Sequence, residues 1–154
     1  MNIYGVIGWP IKHSLSPAMH NAAFKKLGID AEYKLFEVRP EGLEDFILKR
    51  KDVAGFNITV PYKVKAKEIL EENFPSGSSY LYNKLSGAIN TVKRVGNGLL
   101  YLNTDVLGFD QSLAEDLKFK PKDKDIIIIG CGGAGRAVIA ALIWQNAPHP
   151  HKIY

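Results

Sequence analysis

The first half of the chain alternates short apolar runs with stretches of helical spacing. Ile3 to Gly8 predicts a buried strand. Ser16-Pro17 predicts the start of a helix, with serine as N-cap and proline at the first helical position. Met19, Ala22, Ala23 and Leu27 then recur at helical spacing, and Gly28 has the place of a left-handed closing residue. Glu32 to Val38 predicts a second strand, and Glu41 to Arg50 a second helix with Leu43, Phe46 and Ile47 on its inner stripe. Ala54 to Val60 predicts a third strand, with Phe56, Ile58 and Val60 on one face and Asn57 and Thr59 on the other. Pro61 cannot donate to a ladder and ends it; Tyr62 to Glu71 predicts a third helix. The order βαβαβα predicts an α/β fold: a mostly parallel open sheet with helices across its faces.

A polar loop is expected around Pro75 to Ser79. Gly87 to Lys93 and Leu99 to Asn103 flank Gly96-Asn97-Gly98 and predict a hairpin. Asp105 to Leu117 predicts a helix held by Val106, Phe109, Leu113 and Leu117, and Lys118 to Lys124 has the composition of a linker. The unbroken Ile126 to Ile129 predicts a strand buried on both faces. GCGGAG at 130–135 follows it directly, and an apolar helix is expected from about Ala134 to Gln145.

Composition narrows the function classes. The chain has 154 residues, 46% of them hydrophobic and 23% charged, a balance that can bury a core. Its net charge of +4 comes from lysines interspersed with acids, so no nucleic-acid partner is expected. No apolar run approaches the ~18 residues of a membrane span, and the first residues lack an export signal, so neither membrane insertion nor secretion is expected. The single cysteine, Cys131, cannot form an internal disulfide and reads as a small filler in a turn. A reducing, cytoplasmic setting is the expectation. His13, His20, His149 and His151 lack metal-ligand spacing, and no metal site is expected.

Five polar or glycine-rich pieces carry candidate chemistry. The pattern G-x-G-x-x-G at 130–135, between a strand and a helix, fits a dinucleotide site: glycines permit the tight turn, admit a pyrophosphate to the backbone and aim a helix N-terminus at it. A turn used only for close helix packing would have the same glycines. The other four are SLSP at 14–17, NITVPYK at 57–63, GAINTV at 87–92 and NTDVLGF at 103–109, each at a strand end or helix start. Serines beside a helix N-terminus favour an anion, although Ser16 as a bare cap and Ser14 as a loop residue is the plainer alternative. Asn90 by itself reads equally well as a turn-supporting amide before a strand. An amine such as Lys63 can move a proton where burial disfavours its ammonium, a tendency that a charged Asp105 nearby would oppose; the plainer alternative is a solvated lysine opening a helix.

In this order, and ahead of a glycine-rich turn, these pieces closely resemble the shikimate dehydrogenase family, over residues 3 to about 146. The resemblance implies NADP-dependent reversible reduction of 3-dehydroshikimate to shikimate, in the chorismate pathway of aromatic amino acid biosynthesis. It implies that Ser14 and Ser16 hold the substrate carboxylate and that Asn57, Thr59, Asn90 and Asp105 contact ring hydroxyls. Lys63 and Asp105 match the catalytic pair, with Lys63 as proton shuttle and Asp105 mainly as its orienter. Gly130, Gly132, Gly133, Ala134 and Gly135 match the NADP-binding turn.

The resemblance also implies a departure. Family members continue through a complete dinucleotide domain, whereas His151 to Tyr154 reads as the opening of its second strand, just ahead of the Asn-Arg-Thr segment that reads the 2′-phosphate. Residues 1–118 are therefore expected to be a substrate-binding domain and 119–154 a truncated NADP-binding unit, leaving this chain inactive or impaired alone. One strand and one helix bury too little area to stand by themselves, so 125–154 should lean on 1–118 or on a partner chain, a homodimer included. Ile127, Ile129, Val138 and Leu142 would otherwise form an association patch. Two alternatives are a stand-alone binding module for a hydroxylated cyclic carboxylate and a dehydrogenase acting on quinate.

Overall fold

The computed structural model describes residues 1–77, 81–144 and 149–154. Its elements are β1 (Asn2–Gly8), α1 (Ser16–Leu27), β2 (Ala31–Glu37), a 3-10 turn (Pro40–Gly42), α2 (Leu43–Lys49), β3 (Val53–Ile58) and α3 (Lys63–Asn73). Then come α4 (Leu81–Ser86), β4 (Thr91–Val95), β5 (Gly98–Leu102), α5 (Thr104–Glu115), β6 (Asp125–Ile126), α6 (Gly133–Ile143) and β7 (Lys152–Ile153). The first five strands form one sheet in the order β2-β1-β3-β4-β5. β1 pairs in parallel with β2 and β3, β4 is antiparallel to β3, and β5 is antiparallel to β4. Only β4 of these five is therefore reversed, as expected of a mostly parallel sheet.

The two-residue period of the strands sends alternate side chains to opposite faces. On one face Ile7, Val53, Phe56, Ile58, Val92, Leu99 and Tyr101 form a core with Leu43, Phe46 and Ile47 of α2 and Ala66, Ile69 and Leu70 of α3. Ile7, Ile47 and Leu70 are each 0% exposed; burying such a side chain contributes about 1.5–3 kcal/mol before entropy is subtracted. On the other face Val6, Ile11 and Tyr33 pack with Tyr4, Phe24 and Leu35, and α1 covers only this β1–β2 half. The β3–β4 half of that face stays open, and its polar residues become accessible there.

Several expectations are corrected. α1 does not face the sheet with Met19 and Leu27, which are 62% and 69% exposed. It presents His20, Asn21 and Phe24 instead, because Asn21 receives the Tyr33 N–H at 2.8 Å and donates to its carbonyl at 2.9 Å, while the His20 ring stacks on Tyr33 at 4.2 Å. Those directed contacts cover the free edge of β2 and set the helix rotation. Ser16 is not the N-cap: the helix begins at Ser16 itself, Leu15 holds the cap position, and Ser14 Oγ accepts the Ser16 N–H at 3.3 Å. Gly28 closes α1 at φ 67°, as expected.

β3 stops at Ile58, where its pairing with β1 ends, and Val60 is 69% exposed. Residues 87–90 are not part of β4, and a helix that hydrophobic periodicity missed, α4, precedes them. Its polar Asn83 and Ser86 are buried because they bond to main chain, which no apolar pattern encodes. The hairpin turns at Gly96-Asn97, with Gly96 at φ 56°. Leu117 lies past the end of α5 and is 68% exposed. Ser78 and Ser79 of the expected loop, and Gln145 at the expected helix end, lie outside the described residues.

The strand expected at Ile126 to Ile129 pairs on one side only, with β7, and is not buried on both faces. Ile127 and Ile129 are 74% and 97% exposed, whereas the alternate Ile126 and Ile128 are half-buried. Leu142 is buried at 2% and is not left in an association patch, as expected of a segment that leans on its neighbours. α6 shares a core with α4 and α5, in which Ala137, Ala140 and Ala141 meet Tyr82, Val106, Phe109 and Trp144. The segment after residue 125 thus leans on the first, as its small size demands.

Candidate functional site

Lys63 opens α3 directly after the turn that follows β3. Its carbonyl accepts the Ile89 N–H at 2.8 Å, which ties the start of α3 to the 87–92 segment. Asp105 lies in the first turn of α5, whose N-cap Asn103 accepts the Asp105 N–H at 3.1 Å. Asn103 is 0% exposed and donates to Ser86 Oγ at 3.2 Å and to the Ala88 carbonyl at 3.1 Å. Asn83 in turn accepts the Asn103 N–H at 2.8 Å. A buried amide lattice thus fixes the height and rotation at which α5 presents Asp105.

These elements bring Lys63 Nζ to 2.6 Å from Asp105 Oδ2, with the two side chains 16% and 33% exposed. Asn90 Nδ2 donates to Asp105 Oδ1 at 2.8 Å. The remaining valences of Asn90 are engaged too: Nδ2 reaches Thr104 Oγ1 at 2.9 Å, and Oδ1 accepts from the Thr104 N–H and the Thr91 hydroxyl, each at 2.9 Å. Asn57 Nδ2 donates to Thr91 Oγ1 at 3.1 Å. A line of hydrogen bonds therefore runs from Asn57 through Thr91, Asn90 and Asp105 to Lys63. Among the described residues, no buried side-chain nitrogen or oxygen lacks a partner.

Ser14, Ser16 and Thr59 line a separate cavity of about 450 Å³ with His13 and Val60. Ser14 and Ser16 do not bond to the Lys63 cluster. What joins the two places is β3 and its continuation, which carries Asn57 on the hydrogen-bonded line and Thr59, two residues on, in the serine cavity. Asn57 also borders a cavity of about 430 Å³ with His20, Tyr33, Thr91 and Lys93.

The glycine-rich turn reaches the same place from the other side. Gly130 has φ 102°, and a Cβ on Gly135 would stand 2.1 Å from the Gly130 carbonyl oxygen, so the helix passes where a side chain cannot. Around Gly132 the space a Cβ would take is open. The first residue of α6, Gly133, lies against Lys63: a Cβ there would be 2.8 Å from Lys63 Cβ. Ala134 and Gly135 follow in the first turn of α6, with Ala134 exposed. Backbone N–H groups at an open helix start fit the pyrophosphate of a dinucleotide, and the chain's residues suit that group. Among the described residues, no cluster of His, Cys, Asp or Glu is arranged to hold a metal ion, and no helix is long and apolar enough to cross a membrane.

Sequence reasoning did not single out Tyr33, Thr91, Asn103 or Thr104. Three of these lie inside the quoted segments, so attention to every hydroxyl and amide there would have found them. Tyr33 lies in a strand and had no signal beyond its polar tip.

Residues 6–92 match the family described as shikimate dehydrogenase substrate binding domain. A shikimate dehydrogenase (NADP(+)) of Geobacter metallireducens is 46% identical over 142 residues, covering 91% of this chain and 48% of that protein. The crystal structure of shikimate dehydrogenase 1 from Peptoclostridium difficile superposes with a TM-score of 0.84 at 32% identity, covering 100% of this chain and 56% of the other. Shikimate 5-dehydrogenase of Thermus thermophilus, solved with NADP(H) and shikimate, gives a TM-score of 0.78 at 35% identity and covers 92% of this chain and 52% of its own. The chain spans about half the length of the curated relatives it matches.

Proposed function

The chain belongs to the shikimate dehydrogenase substrate-binding domain family, and on that premise we propose that it forms the substrate pocket and the first part of the cofactor site of an NADP-dependent shikimate dehydrogenase. Residues 1–118 supply the pocket and 119–154 open the nucleotide-binding unit. The observation that carries the proposal is the position of Lys63, paired with Asp105 at 2.6 Å on one side and in contact with Gly133 of the glycine-rich turn on the other. The stem of the proposed proton carrier thereby runs along the turn proposed to take a dinucleotide's pyrophosphate.

When bound to Gly130, Gly132, Gly133, Ala134 and Gly135, NADP supplies or takes up the hydride equivalent. Lys63 Nζ gives a proton to the substrate's carbonyl oxygen in reduction and receives the hydroxyl proton in oxidation. Asp105 holds that nitrogen in place through the hydrogen bond at 2.6 Å and is itself held by Asn90. Two of Asp105's interactions are thus used on its neighbours, and its remaining lone pairs are available to a ring hydroxyl. Ser14 and Ser16, at the start of α1, offer hydroxyls and a helix terminus to the carboxylate, with Thr59 in the same cavity. Asn57 reads a hydroxyl between these two ends. The exposed Ile127 and Ile129 support association through the second unit, including self-association, and a cytoplasmic location fits the free Cys131.

Calorimetric titration with shikimate tests the pocket. Binding is expected, weakened by Ser14→Ala, with quinate as the competing ligand; no heat with shikimate refutes the reading. In the complete enzyme, Lys63→Ala should lower kcat far more than it changes KM, and a near-normal kcat removes Lys63 from the mechanism.

A further inference from the structure

Tyr33 stands outside every segment that carries the proposed substrate groups, yet its phenol is tied directly to one of them. The residue is 4% exposed and packed with Val6, Ile11, Phe24 and Leu35. The His20 ring stacks on it at 4.2 Å with an interplanar angle of 14°, and Asn21 grips its backbone N–H and carbonyl. The phenol O–H donates to Asn57 Oδ1 at 2.6 Å. Burial pushes the phenol's pKa up to about 12, so it remains a donor throughout the neutral range.

The partners of Asn57 decide which way its amide points. The Asn90 carbonyl, 3.4 Å away, can only accept, so Nδ2 faces it and Thr91 Oγ1, and Oδ1 faces the phenol. Both amide protons are then engaged, and one of two Oδ1 lone pairs is filled. The valence left for a ligand is a single lone pair. We propose, resting on the substrate reading above, that Tyr33 is a positioning residue that locks Asn57 as the acceptor of one ring-hydroxyl proton and so sets discrimination for that hydroxyl. Tyr33 also anchors the far end of the line through Thr91, Asn90 and Asp105 to Lys63. Because His20 and Asn21 sit one turn after Ser16 on α1, the helix that presents the proposed carboxylate site also holds the hydroxyl reader.

Wild type, Tyr33→Phe, Asn57→Ala and the double variant are titrated calorimetrically with shikimate and its monodeoxy analogues. Tyr33→Phe keeps the ring, its stack and its packing and removes one oxygen. Shikimate is expected to bind about 3–10-fold more weakly to Tyr33→Phe, the loss of one hydrogen bond's differential contribution. The analogue lacking the hydroxyl read by Asn57 should be almost unaffected, and Tyr33→Phe should add nothing in the Asn57→Ala background. Equal weakening of every ligand, or additive effects in the double variant, overturns the positioning role. A ligand-free measurement separates this from the substrate reading: the Asn57 side-chain amide resonances should shift and exchange faster in Tyr33→Phe. Unchanged resonances overturn the proposal whatever shikimate does, whereas a wild type that fails to bind shikimate overturns the substrate reading itself.

Discussion

Asn103→Ala tests whether the buried amide lattice holds the Lys63–Asp105 pair in place. Asn103 is 0% exposed and its side chain makes three hydrogen bonds: to Ser86 Oγ, to the Ala88 carbonyl and from the Asp105 N–H. The first two partners keep one another, since Ser86 Oγ also donates to the Ala88 carbonyl at 3.1 Å. The losses are therefore the N-cap of α5, about 1 kcal/mol, and about another 1–2 kcal/mol for weakened buried partners. A total of about 2–3 kcal/mol should lower the urea midpoint by about 1–2 M for a domain of this size. Asn103→Asp supplies the sharper control. It preserves the cap acceptor but turns a donor into a carboxylate oxygen facing the Ala88 carbonyl, so it should be as destabilising at pH 7 and recover as pH falls and the acid becomes a donor again. An Asn103→Ala loss under about 0.5 kcal/mol, or an Asn103→Asp defect that does not lessen in acid, would refute the assignment.

Gly133→Ala would place a Cβ 2.8 Å from Lys63 Cβ and 2.9 Å from Lys63 Cδ, so the lysine stem must move off Asp105. A stability cost of about 1–3 kcal/mol, measured by urea denaturation, and weaker shikimate binding are expected, and an unchanged variant removes this contact from the account. Asp52 is held at about 2, below its ordinary 3.8, chiefly by the hydrogen bond from Arg50. Its small stabilisation, under about 0.5 kcal/mol for so exposed a pair, is complete above pH ~4 and is lost as pH falls through about 2. Asp52→Asn should thus match wild type in urea melts at pH 2 and be slightly less stable at pH 7; the reverse ordering contradicts the pairing.

The parallel core of the fold was legible because its cause is local. Ile3 to Gly8, Glu32 to Val38 and the Phe56–Ile58 alternation each state a strand and its buried face. What could not be read from periodicity was set by directed polar bonds between distant residues. α1 turned its Met19–Leu27 stripe outward because Asn21 and His20 bind Tyr33, a choice invisible without knowing that β2 is an edge strand. α4 was missed because its buried residues include Asn83 and Ser86, whose partners are main-chain groups elsewhere. The unbroken Ile126 to Ile129 suggested burial on both faces, but burial needs two covering layers, and these residues have one. The short polar segments had the opposite character: the resemblance they carry together pointed to Lys63, Asn90 and Asp105, which the fold does gather into one bonded cluster.

The segment from 125 onward need not stand on its own strand. Its attachment is α6, whose alanines reach the α4 and α5 surface closely because they are small. α5 carries Asp105 in its first turn, and α6 carries Gly133 in its first turn; the two helix starts therefore meet on either side of Lys63. A shift of α6 against α5 would move the glycine-rich turn and the lysine's supporting surface together. The placement of Lys63, the proposed proton carrier, against the glycine-rich turn is thus set by a helix–helix contact within these residues.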